Sequence, residues 1–394
     1  MSKSLEQFCS DLNIEYNEKI LPYYEKGLAL YKEKGTFALN RDRLIFFNHK
    51  YSFFRKWFTD VLAAAIEIEK DEDLTIFVYT LASLLEGMND IEETLILKLP
   101  DRQRLDTDYL PMFSFLYFLE DMVGDMERRT VPFDVISDTL NGFDSEINDY
   151  YRLYGRGGVR IYVAWFALFV KKEMLRVGRF QFQIKKFEHP VRVYEKGGEV
   201  RILIDNADVH RKGMLFGSEG QKDEEGKYHA EIEENGNSVT GYPANEFGEA
   251  VPKKITLTGW REVLRRGDDV IGVHIPSDGP LDPDYSNESY ERAKQIFKNC
   301  YPEYSFKAFT CFSWLLEKRL KEIMGRETNI TKFADKYTGY PIVGSGGAIY
   351  SFLFNQPKRI PIEQLPEESS MHRLVKKYLL DGNIFYEKGG VILF

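Results

Sequence analysis

The segment Arg179-Phe180-Gln181-Phe182-Gln183-Ile184-Lys185 decides how this chain is built. Apolar and polar side chains alternate along it one for one, the period of a strand with one face buried and one face wet. Upstream the period is helical. Leu21, Tyr24, Leu28 and Tyr31 recur at spacings of three and four before Gly35, and Phe54, Phe58, Val61, Leu62 and Ala65 repeat the pattern, each giving one apolar stripe. Residues 71–87 begin with acidic side chains and end on glycine, the order that a helix dipole and a left-handed end favour. Residues 111–127 and 132–154 each carry a proline at the start, where its missing N–H costs no hydrogen bond. Residues 161–175 read as one more helix. Its apolar run, 161–170, is bounded by Arg160 and Lys171 and is about half the ~20 residues of a membrane span, so a buried helix is expected.

Downstream, strands and helices mix. Val191 and Val193, then Val200, Ile202 and Ile204, flank Tyr194-Glu195-Lys196-Gly197-Gly198, which reads as a hairpin turn because glycine reaches positive φ without strain. The same five residues recur at 386–390, between Ile384-Phe385 and Val391–Phe394, and read as a similar turn in a closing hairpin. Residues 205–254 are rich in glycine, asparagine and charge, which predicts a loop-rich insertion around short strands. After it we expect a strand over 270–276, a helix over 287–300, a strand over 306–314, a helix over 315–324, a strand over 349–354 and a helix over 370–380. Two domains follow: an all-helical one over residues 1–172 and a mixed α/β one over 173–394, an α+β chain overall.

Bulk properties exclude several classes. Lys and Arg number 53 against 62 Asp and Glu, a net charge of -9, which argues against a nucleic-acid-binding surface. Cys9, Cys300 and Cys311 are odd in number and lack metal-ligand spacing, so neither a disulfide framework nor a zinc site is indicated, and a reducing cytoplasm fits. Glu86, Asp90, Glu92 and Glu93 have no histidine nearby, so no metal is expected there. The amino terminus lacks a basic segment followed by an apolar core, so it does not read as a signal peptide, and no membrane association is expected.

Several separated strings, in this order, carry a resemblance. They are Gly155-Arg156-Gly157-Gly158 with Trp165; Arg176-Val177-Gly178-Arg179-Phe180-Gln181-Phe182; Val273-His274-Ile275-Pro276; Ser289 with Ala293; Cys311-Phe312-Ser313-Trp314-Leu315-Leu316; and Asn329-Ile330 with Phe333. Together they resemble a bacterial acyltransferase-like family in which an N-acyltransferase amino-terminal helical domain precedes a GNAT-like carboxyl-terminal domain. The resemblance implies a GNAT-like fold with a central, mostly antiparallel sheet. It also implies acyl-CoA-dependent N- or O-acyl transfer to a small-molecule acceptor, with acyl-CoA as co-substrate. It supplies no residue roles.

The residues themselves offer candidates. Such a reaction needs backbone amides at a helix start for a pyrophosphate, a polarised thioester carbonyl and a base. The strand over 270–276 and the helix over 287–300 supply a strand–loop–helix, in which Ser277, Gly279, Ser286, Asn287 and Ser289 are candidate cofactor contacts; capping of the helix is the competing reading for Ser286, Asn287 and Ser289. His274, near a strand end, is the candidate base, or else a structural histidine. Cys311 is a candidate nucleophile if a base reaches it, or else a small buried residue. Ser313 and Trp314 are candidate substrate contacts, with core the alternative for Trp314. Against CoA, the usual GNAT pyrophosphate signature is absent, and Asp278, Asp282 and Asp284 bring carboxylates where phosphates would arrive. A GNAT-derived binding or regulatory module that has lost CoA is therefore the alternative function. Arg176 and Arg179 suit an ion pair or a ligand equally. Gly344-Ser345-Gly346-Gly347 is expected to form a hairpin rather than a phosphate cradle, because no helix is expected after it.

Overall fold

The computed structural model describes residues 3–87, 99–100, 108–160, 163–325, 327–356 and 358–394. The chain divides into two compact units, Met1–Gln181 with Pro276–Asp278, and Phe182–Ile275 with Gly279–Phe394.

The first unit runs through α1 (Leu5–Leu12), α2 (Leu21–Lys34), α3 (Arg41–Tyr51), α4 (Phe58–Glu69), α5 (Glu72–Gly87), α6 (Leu110–Leu116), α7 (Leu119–Arg128), α8 (Phe133–Tyr154) and α9 (Val163–Val170). Capping follows the side-chain chemistry. Ser4 and Asn40 accept amide hydrogens at the heads of α1 and α3, and α8 stops at Gly155, whose φ of 70° few other residues adopt cheaply. Every residue of α5 from Leu74 to Leu85 is buried, so this helix is the hub. α2 lies hard against it: a Cβ on Gly27 would stand 2.6 Å from the Thr80 amide nitrogen, which only glycine avoids. Phe143 of α8 packs against Phe115 and Phe169, ring centroids 4.1 and 5.1 Å away. After Lys172, at φ 63°, β1 (Met174–Val177) turns through Gly178 into β2 (Phe180–Lys186), and the division between the units falls inside β2.

In the second unit the order continues as β3 (Val191–Lys196), β4 (Glu199–Ile204), β5 (Ala207–His210), β6 (Lys227–Ala230), β7 (Glu233–Asn235), β8 (Ser238–Gly241), β9 (Ile255–Thr258), β10 (Arg261–Leu264) and β11 (Asp269–His274). Then come α10 (Pro283–Cys300), β12 (Ala308–Ser313), α11 (Leu320–Met324), α12 (Asn329–Asp335), β13 (Thr338–Tyr340), α13 (Ala348–Phe352), α14 (Ser370–Leu380) and β14 (Lys388–Leu393). The main sheet has the order β2-β11-β12-β14-β13, with β1 beside β2. β14 runs antiparallel to both β12 and β13, whereas β11 and β12 are parallel. A parallel pair needs a long crossover, and α10 provides it. One face of this sheet meets α10 through Phe182, Phe309, Tyr290 and Phe297. On the other, Val270, Ala308 and Val391 pack against Val191, Val193, Ile202 and Leu264 of the smaller sheet β10-β3-β4. The 205–254 insertion holds the β5-β6 pair and two strands of the β7-β8-β9 sheet.

Local expectations fail at several places: the helix expected over 111–127 is interrupted between α6 and α7, and the one over 315–324 is a 3-10 turn, Trp314–Leu316, followed by the short α11. The apolar run 349–354 is not a strand but falls largely in helix α13. The 386–390 string makes no turn, because its last three residues begin β14. The helix expected to reach Leu175 ends at Val170, and Leu175 lies in β1; of its first residues, 161 and 162 lie outside the described ones. Finally, α10 starts at Pro283, four residues before Asn287, because Asp282 and Pro283 make a stronger start than Ser286. Among the described residues, no helix is long and apolar enough to cross a membrane.

Candidate active site

The candidate residues lie along β11, α10 and β12 and the segments that join and follow them. Ile271, Gly272 and Val273 pair with Phe309, Thr310 and Cys311, and the pairing stops there, short of His274 and Phe312. Beyond the last rung the carboxyl ends of two parallel strands are free of each other, the place at which α/β units take ligands.

His274 and Cys311 lie on opposite faces of the sheet. Cross-strand partners share a face, so Cys311 sides with Val273, and His274 sides with Gly272. His274 is half-buried, and its Nε2 donates to Gln183 Oε1 at 3.0 Å. That bond selects the tautomer with its lone pair on Nδ1. Burial, with the Lys185 ammonium as a second cause, holds its pKa down at about 4, so the ring is neutral at pH 7. Cys311 is buried, and its thiol is pushed up to about 12 by burial, although a hydrogen bond with Tyr337 opposes the shift. Tyr337 in turn stands 2.5 Å, oxygen to oxygen, from Tyr290 of α10. Burial raises both phenols well above their ordinary range. A thiol so protonated is no ready nucleophile, and its neighbours are tyrosines rather than the imidazole. Sequence spacing gave no sign of Tyr290 or Tyr337 here.

Comparison with known families now decides the kinship. The family described as GNAT-like C-terminal domain matches residues 174–392, more than half of the chain, and the one described as N-acyltransferase N-terminal domain matches residues 48–171. The chain belongs to the GNAT-like family. Solved structures share its fold. A crystal structure of an acyltransferase in complex with decanoyl-CoA is 19% identical, covers 100% of each chain and superposes with a TM-score of 0.63. Another, of an acyltransferase with decanoyl-CoA and teicoplanin, is 18% identical over 99% of each chain, also at 0.63. No curated protein matches the sequence.

Within the GNAT-like chain the remaining candidates are spread out. Ser277 lies in the first unit, where its hydroxyl donates to Asp149 at 3.3 Å and accepts from Arg152 at 3.3 Å. Asp278, also there, pairs with Arg176 at 2.5 Å and Arg179 at 3.8 Å and accepts from Ser145. Burial, the largest single influence, would raise its pKa, but Arg176, Ser145 and Arg179 together outweigh it and hold the carboxyl below the usual range. The two arginines thus serve an ion pair, and the charge of Asp278 is met. Gly279 follows in the turn, half-buried. Asp282 caps α10, accepting from the amides of Asp284 and Tyr285 at 3.1 and 3.0 Å. Its carboxylate therefore occupies the donors that a pyrophosphate would use. Ser286 is buried and its Oγ has no hydrogen-bond partner among the described residues. Asn287 is exposed and accepts from Lys336, and Ser289 bonds back to the Tyr285 carbonyl at 2.7 Å. Ser313 accepts from the Leu315 amide at 3.1 Å, and Trp314 joins an apolar cluster with Leu320, Ile349, Phe354 and Phe385.

Two polar clusters depart from the reading of the sequence: the hairpin expected at 344–347 is not formed, since a helix follows it, and the second cluster gave no sign in the sequence. The glycine-rich loop before α13 is an amide cradle after all: Glu387 accepts from the amides of Ser345, Gly346 and Ala348 at 3.0, 3.2 and 3.0 Å and from Ser345 Oγ at 3.3 Å. Beside it, Lys388, fully buried, stands 3.4 Å from Glu249 and 3.7 Å from Glu317, and Arg319 joins the same carboxylates, 2.8 Å from Glu249 and 3.6 Å from Glu317. Among the described residues, no group of three or more His, Cys, Asp and Glu is placed to hold a metal.

Proposed function

We propose that this protein transfers an acyl group from acyl-CoA to the amine or hydroxyl of a small acceptor, taking the thioester where β11 and β12 part. The observation that carries the reading is the parallel pair itself, which ends at Val273 and Cys311 with His274 on the next residue. Family membership and the acyl-CoA complexes of proteins with the same fold support it. The acceptor atom attacks the thioester carbonyl, the carbon–sulfur bond breaks and the thiolate leaves with CoA. His274 Nδ1 accepts the proton that the acceptor sheds as the new bond forms. A base held near pKa 4 is weak but unprotonated throughout the neutral range. With the amides at the head of α10 taken by Asp282, the Ser286 hydroxyl, buried and without a hydrogen-bond partner among the described residues, is the group of that helix left to meet the carrier. Cys311, Ser313 and Trp314 belong to the neighbouring strand end.

Calorimetric titration with acetyl-, octanoyl- and decanoyl-CoA tests the reading, and we expect saturable binding of at least one, with release of free CoA thiol when amines are added. His274→Ala should lower turnover by about 10²–10⁴-fold. In the intact protein the acidic limb of the rate should fall near pH 4, not 6.5, because the imidazole stays neutral down to that point. Full turnover in His274→Ala would remove that residue from the proton transfer. One observation favours a second reading: Asp282 fills the head of α10, as it would in a module that no longer binds CoA. Silence across all three titrations would decide for it.

A further inference from the structure

β14 starts at Lys388, directly across from Ser313 at the carboxyl end of β12. The Lys388 ammonium is sealed from water, with Met214 Sδ at 3.1 Å and the carboxylates of Glu249 and Glu317 around it. Glu317 is itself 1% exposed, and its Oε2 finds no hydrogen-bond donor among the described residues. Burial pushes the Glu317 carboxyl up and the Lys388 ammonium down, each toward its neutral form. Clusters of this kind are poor investments in stability. Well-packed apolar residues of the same volume commonly do as well or better, while removing a single member leaves a charge stranded. Stability therefore gives no reason for two cations and two carboxylates at this spot.

Location does. Glu317 directly follows the single 3-10 turn Trp314–Leu316 that Ser313 caps, so the carboxylate grips the chain as it leaves β12. On the adjacent residue, Glu387 is locked in the amide cradle, and the main chain at 387–388 is held on both sides. We infer that Lys388 is a positioning residue for acyl transfer, fixing the end of β12 and Ser313 through Glu317, Glu249 and Arg319. The inference rests on the reading that acyl-CoA is taken at the parting of β11 and β12.

The test compares the wild type with Lys388→Arg, Lys388→Met and the double variant Lys388→Met/Glu317→Met, which strands no charge. Three quantities are measured: the melting temperature, the Kd of decanoyl-CoA, and the rate of CoA thiol release at saturating decanoyl-CoA with an amine panel. Lys388→Met should slow release at least tenfold with Kd changed less than about threefold, the split expected when geometry rather than ground-state binding is lost. The double variant should regain melting temperature but not rate, and Lys388→Arg should regain part of the rate. Rates that merely track melting temperature, or full turnover in the double variant, would overturn the assignment. A wild type that binds no acyl-CoA removes the underlying reading and this inference with it; a wild type that turns over alongside an equally fast Lys388→Met removes the inference alone.

Discussion

Tyr194-Glu195-Lys196-Gly197-Gly198 turns at the tip of the β3–β4 hairpin, whereas Tyr386-Glu387-Lys388-Gly389-Gly390 runs straight into the main sheet. In the first copy Lys196 pairs with Glu199, and the two glycines take φ of 60° and 84° with nothing within 4 Å of where a Cβ would stand. Glu195 accepts from the Gly198 amide, and Lys196 reaches the Thr258 carbonyl at the surface. In the second copy the glycines serve closeness instead. The Tyr340 ring lies where a Cβ on Gly389 would go, and Tyr337 Cβ would be 2.8 Å from one on Gly390. Glycine permits a left-handed turn and also permits a ring to lie on the backbone. Which use prevails is set by partners far away in the chain, here Tyr337, Tyr340, Glu317 and the 344–348 loop.

Paired substitutions in the two copies should separate these uses, read as urea midpoints. Lys388→Met leaves the buried carboxylates of Glu249 and Glu317 with the Arg319 cation alone, one negative charge uncompensated, and should cost about 3–5 kcal/mol, whereas Lys196→Met should stay within about 0.5 kcal/mol. Similar losses in both would mean that the Lys388 network is open to water. Gly389→Ala drives a methyl into the Tyr340 ring and should cost about 3 kcal/mol, against about 1 kcal/mol for Gly197→Ala, where only the positive φ resists. A tolerant Gly389 would show that Tyr340 moves aside readily. Glu387→Gln turns one acceptor into a donor facing amides and should cost about 1–3 kcal/mol, while Glu195→Gln, half-buried with one amide bond and the exposed Arg261 as partners, should cost less than that.

The broad architecture was written in local pattern. The change of period at Arg179 marked the first long strand of the sheet, and the helical stripes before it became α2 and α4. The strand–loop–helix leading to His274 and α10 was equally visible, because burial on one face imposes its period on the chain. What stayed hidden depended on partners distant in sequence. Residues 349–354 have the composition of a strand, yet Glu387 holds the amides ahead of them in the conformation that begins a helix. The tyrosine neighbours of Cys311 come from α10 and from just before β13, and no spacing announces them. Asp282 outcompeted Ser286 as the cap because an aspartate followed directly by proline needs no rearrangement to start a turn.

The carboxylate in the 344–348 loop has a consequence for how that loop behaves in a cell. A cradle of main-chain N–H groups would ordinarily sample whatever phosphate or nucleotide is dissolved around it. This one carries a tethered tenant, present at a local concentration that no dissolved metabolite reaches. Its shape should therefore be the same in phosphate buffer and in water.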